Sequence, residues 1–158
     1  MEALKIKMLI LDVDGVLTRG EIVWDSEGRE LKLFNSLDGM GLKLLWERGI
    51  RVVAITARKS LPTEGRFNDL GFGELYQEVK DKLSLAKELA ERYKIAPQEI
   101  CFIGDDLNDL PLLQWVGFPV AVKNAVKEVK EVAKYITSLE GGRGAVREVA
   151  DLIIALSG

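Results

Sequence analysis

The chain has 158 residues, 47% of them hydrophobic and 30% charged, with a formal net charge of −3. That length and apolar content suit one domain, 1–158, with a sizeable core, while interspersed acids and bases exclude the broad basic face that binds nucleic acid or anionic membrane. The absence of histidine removes Ser-His-Asp and Cys-His catalysis and imidazole zinc sites, leaving acid–base work to carboxylates and lysine. Cys101, alone in the apolar run "EICFIG", can make no intrachain disulfide and reads as a packed thiol in a reducing compartment. No apolar run is long enough to span a bilayer and the N-terminus lacks a signal-peptide pattern, which gives a cytoplasmic expectation.

In chain order, "MLILDVDGVLT" (Met8–Thr18) drives an apolar strand, about 6 to 13, straight into Asp12 and Asp14. A lone carboxylate at the end of a doubly buried strand is expensive and two repel, so the pair calls for a cation. "TRGEIVWDSEGRELKLFN" then alternates around Ser26-Glu27-Gly28 as a hairpin with a Glu-Gly turn, and a helix starts near Asp38 and stops at Gly49. "RVVAIT" is a buried strand, "LPTEGRFNDLG" a helix ended by Gly71, and "DKLSLAKELAERY" an amphipathic helix capped by Asp81. "EICFIGDD" is a strand, "LNDLPLLQWV" a helix, "PVAV" a strand, "AVKEVKEVA" a helix, "YIT" a short strand and "GAVREVADLIIAL" the last helix. This alternation predicts an α/β fold: a doubly wound, mainly parallel Rossmann-like sheet, helices on both faces, and a β-hairpin inserted after the first strand. Only the 41 residues 15 to 55 separate Asp14 from Thr56, room for a hairpin and a helix but no cap domain.

Ligands of such sheets bind beyond the carboxyl ends of the strands. The residues at those ends are Asp12 and Asp14, Thr56 and Arg58, and Asp105 and Asp106, with Lys82 opening the helix after "ELYQEV". The carboxylates of "DVDG" and "GDDLND" make a hard oxygen cage suited to Mg²⁺, which keeps waters and a substrate phosphate. Beside that cation an aspartate can attack phosphorus, giving an aspartyl-phosphate that water hydrolyses. Gly15 permits the turn that brings both aspartates to one pocket, and the Thr56 hydroxyl and Lys82 ammonium would bind phosphate oxygens.

"DVDGVLT", the threonine of "AITAR", Lys82 and "GDDLND", in that order, resemble the four motifs of the haloacid dehalogenase superfamily of phosphohydrolases. The resemblance implies that Asp12 is the nucleophile, Asp14 the general acid–base, and Thr56 and Lys82 the phosphoryl-binding pair. It also implies that Asp105 completes the metal site with Asp12 and the peptide carbonyl of Asp14, and that Asp106, Asn108 and Asp109 support it. "FNSLDGMGLKLL", "ITARKS" and "GGRGAVREVADLI" further resemble the capless 3-deoxy-D-manno-octulosonate 8-phosphate phosphatases of lipopolysaccharide precursor synthesis. In that family a homotetramer replaces the cap, hairpins meet at its centre and the C-terminal tail, here carrying Arg143, reaches a neighbour's pocket. Its sugar-acid contacts would fall on Asn35, Asp38, Gly39, Lys43, Arg58 and Arg66, where guanidinium forks suit a carboxylate.

The chain departs from that pattern at Leu37 and Lys43, where arginine is common, and at Ala57, where "ITGR" has glycine. Related capless enzymes act on nonulosonate 9-phosphates, which stand as the alternative substrate. Taken singly, Asp-Gly is ordinary turn chemistry, Thr56 a strand-end cap, Lys82 a solvated lysine, and "GGRG" either a helix lead-in or a mobile arm beside an anion. A receiver-like signalling domain also joins an aspartyl-phosphate, a threonine, a lysine and Mg²⁺, but its phosphoacceptor lies on a middle strand, and neither "AIT" nor "YQEV" offers an aspartate.

Overall fold

The computed structural model describes residues 3–157. Along the chain the elements are β1 (Met8–Leu11), β2 (Val23–Trp24), β3 (Glu30–Leu31), α1 (Ser36–Glu47), β4 (Arg51–Ile55), α2 (Leu61–Leu70), β5 (Glu74–Tyr76), α3 (Lys82–Tyr93), β6 (Ile100–Gly104), α4 (Leu110–Trp115), β7 (Phe118–Ala121), α5 (Lys127–Val132), β8 (Tyr135–Ile136) and α6 (Ala145–Leu156). Six strands form one parallel sheet in the order β5-β4-β1-β6-β7-β8, and β2 and β3 form a separate antiparallel hairpin. This is the doubly wound sheet expected, with the hairpin inserted after β1 and, among the described residues, no cap domain.

The continuous apolar runs explain the central strands. Met8–Leu11, Val52–Ile55 and Ile100–Ile103 are wholly buried, as parallel strands covered on both faces must be. Each large aliphatic side chain so buried contributes about 1.5–3 kcal/mol. The chain steps from β1 outward through β4 to β5, then returns past β1 to β6 and runs the other way to β8. Right-handed crossovers therefore set α1 and α2 on one face and α3, α4 and α5 on the other. α6 packs back on α1. The winding reverses between β1 and β6, and a crevice opens there at the strand ends.

Local signals account for the boundaries. Asn35 caps α1 through Leu37 N at 2.8 Å, so that helix begins at Ser36, slightly before the expected Asp38. Asp81 caps α3 through Ser84 N at 3.0 Å, and Gly71 ends α2 in the left-handed conformation. The hairpin turn is tied by Asp25, whose Oδ1 accepts from Glu27 N and Arg29 N, both at 2.9 Å. "LNDLPLLQWV" divides into a 3₁₀ turn, Leu107–Asp109, and α4, which carries Pro111 in its first turn. Cys101 is wholly buried, and burial pushes its thiol up. No helix of the described residues is long and apolar enough to cross a membrane.

Candidate active site

β1 ends at Leu11, and the chain then winds into a tight turn in which Leu17 N donates to Val13 O at 2.8 Å and Gly15 N to Thr18 Oγ1 at 3.1 Å. Gly15 sits there at φ +87°, and a Cβ on it would lie 1.9 Å from Asp105 Oδ2. Only glycine lets the β6 acid approach the β1 turn so closely. A cavity of about 240 Å³ opens at this edge, walled by Asp12, Asp14, Gly20, Thr56, Ala57, Arg58, Asp105, Asp106 and Asn108. Residues from the ends of β1, β4 and β6 thus converge as the winding predicts.

Beneath the cavity Lys82 is buried between two acids, its Nζ 3.1 Å from Asp12 Oδ2 and 2.8 Å from Asp109 Oδ1. Asp109 is wholly buried, and its Oδ2 accepts from Asp105 N at 2.9 Å. Carboxylate oxygens of Asp12, Asp105 and Asp109 all lie within 4.8 Å of one another. Burial, followed by the charge of Asp109, raises the Asp12 carboxyl despite Lys82, and burial with the charges of Asp12 and Asp109 raises Asp105. Three carboxylates crowd beside one ammonium that touches only Asp12 and Asp109, a donor set short of positive charge and made of hard oxygens, which fits a divalent cation such as Mg²⁺.

Asp14 is absent from this cluster. Its Oδ1 pairs with Lys32 Nζ, and its Oδ2 lies 3.8 Å from Arg58 Nη1. Two cations hold its carboxylate, so the expectation for Asp14 as a ligand stays with its peptide carbonyl. Thr56 is buried at the end of β4 and receives Arg58 N on Oγ1 at 3.3 Å. Asp106 caps the turn after β6 through Leu107 N at 2.7 Å, and Asn108 is exposed on the cavity wall.

A model of haloacid dehalogenase-like hydrolases matches residues 55–148. The chain belongs to this family. Among its relatives, the 3-deoxy-D-manno-octulosonate 8-phosphate phosphatase of Escherichia coli K12 is 44% identical over 157 residues, 99% of this chain and 84% of that protein. The crystal structure of the Yersinia pestis phosphatase of the same name superposes with a TM-score of 0.93 at 44% identity, covering 97% of this chain and 83% of that one. The Moraxella catarrhalis phosphatase of that name, in complex with magnesium ion, phosphate ion and KDO, superposes at 0.93 with 39% identity, over 96% of this chain and 87% of that one.

In this haloacid dehalogenase-like hydrolase the expected sugar contacts divide. Arg58 walls the cavity, whereas Asn35, Asp38, Gly39 and Arg66 line a separate narrow crevice with Leu17, Phe34, Leu42 and Leu70, and Lys43 is exposed on α1. Capping explains part of the division. Asn35 is committed to α1, and Asp38 Oδ1 receives Arg147 N at 2.9 Å, capping α6 from across the fold. "GGRG" is no loose arm: Gly142 N donates to Val16 O at 3.1 Å, and Gly141 packs so closely on Gly15 O that a Cβ would lie 1.9 Å from it. Arg143 alone of that stretch is exposed. Asn124 joins both sides, giving Nδ2 to Gly15 O at 3.0 Å and receiving Gly141 N on Oδ1 at 2.7 Å.

Sequence reasoning missed Asn124, Lys32 and Glu30. Glu30 binds Arg58 and Ser60 Oγ, and its Oε1 lies 3.7 Å from Lys32 Nζ. Burial works to raise its carboxyl, but the Ser60 and Arg58 hydrogen bonds and the charges of Lys32 and Arg58 outweigh it and hold Glu30 below the ordinary range. The available signal was the alternation "RELKLF", with charge at every second residue of a strand.

Proposed function

We propose that the chain is a Mg²⁺-dependent phosphatase that converts 3-deoxy-D-manno-octulosonate 8-phosphate to the free sugar acid and phosphate. The observation that carries the reading is the cluster of Asp12, Asp105 and Asp109 around buried Lys82 at the mouth of the β1–β6 crevice. Extensive identity with phosphatases of that name supports the substrate. One catalytic unit, 1–158, built on a continuous apolar core, is part of the proposal, as is a cytoplasmic location.

Asp12 attacks phosphorus, and the bond to the sugar oxygen breaks as that alkoxide takes a proton from Asp14. Water then attacks the aspartyl-phosphate, its proton passes to Asp14, and the bond from phosphorus to Asp12 breaks. Asp12, Asp105 and the peptide carbonyl of Asp14 would hold Mg²⁺, which when bound offsets the negative charge of the phosphoryl group. Lys82 and the Thr56 hydroxyl bind phosphoryl oxygens, and Asp109 holds Lys82 in place. Arg58 presents its guanidinium fork to the sugar carboxylate.

Asn35, Gly39, Lys43 and Arg66 lie off the cavity of the single chain, so as sugar contacts they belong to a pocket completed between copies, and Asp38, buried where it holds the start of α6, supports that pocket from beneath. A homotetramer joined at the hairpins is consistent with exposed Ile22, Trp24, Leu31 and Leu33, which are 58%, 57%, 51% and 76% accessible. The reading is tested by assaying phosphate release from the 8-phosphate and from nonulosonate 9-phosphates, with Mg²⁺ or with chelator. The 8-phosphate is expected to have the highest kcat/KM, and chelator to abolish it. Release indifferent to chelator would overturn the mechanism, and preference for a 9-phosphate would move the substrate.

A further inference from the structure

The hairpin strand β3 and its continuation carry an inverted pattern. In "RELKLF" the leucines, Leu31 and Leu33, face outward and are 51% and 76% accessible, while the charged Glu30 and Lys32 face inward with side chains 10% and 3% accessible. A strand normally buries its apolar residues and wets its charges. Here the inward charges close a ring with two residues of the cavity wall. Lys32 pairs with Asp14 and lies 3.7 Å from Glu30, Glu30 pairs with Arg58, and Arg58 returns to Asp14 at 3.8 Å. Ser60, before α2, donates its hydroxyl to Glu30 and fixes the ring to the sheet edge. Each acid lies between two cations and each cation between two acids.

We propose that Lys32, braced by Glu30, is a positioning residue that fixes the carboxylate of Asp14 for proton transfer, and that the hairpin is thereby part of the active site. The inference rests on the reading of Asp14 as the general acid–base. Its ground is geometric. Asp14 lies within the glycine-bearing turn, immediately before Gly15, with its side chain outside the carboxylate cluster, so the direction of its carboxylate depends on what grips it. One oxygen is gripped by an ammonium too buried to serve solvent or substrate, and the other faces Arg58. A misplacement of about 1 Å in a reacting group costs on the order of 10²-fold in rate. Stability alone is a weak reason for the arrangement, because buried ion pairs are often no better than apolar residues of similar volume.

The test is a double-mutant cycle on the 8-phosphate ester, with kcat, KM, the Mg²⁺ activation constant and the melting temperature measured for each variant. Lys32→Met is expected to lose about 10²-fold in kcat, with KM and the Mg²⁺ constant close to wild type. Lys32→Arg should recover much of the loss, because a cation is restored to Asp14. In the background of Asp14→Asn, Lys32→Met should cost nothing further, since its effect passes through the missing carboxylate. Glu30→Gln, which keeps shape and an acceptor oxygen, should show a smaller loss with the same non-additivity, and it carries the test if Lys32→Met does not fold. Multiplying losses in the double variant, or a change confined to KM or the Mg²⁺ constant, would overturn the inference. An inactive Asp14→Asn beside a fully active Lys32→Met would sink the inference alone. A fully active Asp14→Asn would sink the acid–base reading with it.

Discussion

Two regions of the molecule bury carboxylates, and they do so by opposite means. At the β1–β6 edge, Asp12, Asp105 and Asp109 crowd within 4.8 Å of one another, and the ammonium of Lys82 touches only Asp12 and Asp109. At the seam between α1 and α6, Asp38 has no other acid beside it and is 1% accessible, with Oδ1 on the peptide N–H of Arg147 and, among the described residues, no hydrogen-bond partner for Oδ2. Peptide donors at a helix start hold one buried acid without a bound ion. Three acids with one cation are not self-sufficient, and the missing positive charge is what a divalent ion supplies. The difference separates an acid that builds the fold from acids that act: a buried carboxylate matched by backbone is structural, while an excess of carboxylate over cation marks chemistry.

The sharpest way to break this contrast is at Asp12. Asp12→Asn removes the nucleophile while keeping shape and an acceptor for Val13 N, now received at 2.7 Å. Turnover is expected to fall by about 10⁴-fold or more, the scale on which loss of a catalytic nucleophile acts elsewhere. The melting temperature should hold or rise, because one of three repelling charges is gone. Residual phosphate release near the wild-type rate would remove Asp12 from the reaction.

Asp109 lies between the two regimes, since it belongs to the acidic cluster yet has both oxygens engaged. Asp109→Ala leaves Lys82 with Asp12 alone and strips Asp105 N of its acceptor. Breaking a buried ion pair by removing one partner costs about 3–5 kcal/mol, a fall on the order of 10 °C in melting temperature for a chain of this size. Thermal unfolding of this variant beside Asp12→Asn checks the division. If both variants lost stability equally, Asp109 would be no more structural than Asp12.

How much of this was legible in the sequence depended on how local each cause is. Asp12, Thr56 and Asp105 follow apolar strands, and Lys82 follows the capping aspartate of a clear amphipathic helix, so strand periodicity and the rule for parallel sheets placed all four at one edge. The hairpin register was visible in its Gly28 turn, but its facing was not. Inward apolar residues are the default, and β3 reverses it because Asp14 and Arg58 await the charges of Lys32 and Glu30. Asn35 caps α1, but with the helix expected near Asp38 it was read only as a sugar contact. The caps and clamps made by Asp38 and Asn124 each join residues 109 apart in sequence, a separation at which no local pattern operates. The glycines of "GGRG" invited a flexible reading, yet Gly141 and Gly142 are small so that the stretch can press on the turn after β1.

The gentlest probe of the comparison is the pH dependence of Asp38. Burial raises its carboxyl from 3.8 to about 6, against the pull of the Arg147 and Val146 peptide N–H groups and the charges of Arg66 and Arg147. A carboxyl whose folded value exceeds its unfolded value binds its proton more firmly in the folded chain. Its contribution to stability is therefore full below about pH 4 and is lost as the pH rises through about 6. The full shift corresponds to about 3 kcal/mol at most. Asp38→Asn cannot ionise and keeps an oxygen for Arg147 N, so it should be free of that loss. The difference in melting temperature between the variant and wild type should move in favour of asparagine from pH 4 to pH 7, by several degrees, and level off above it. A difference that stays constant over that range would mean that the α1–α6 seam holds its acid without strain, and that the contrast with the β1–β6 edge lies in geometry alone.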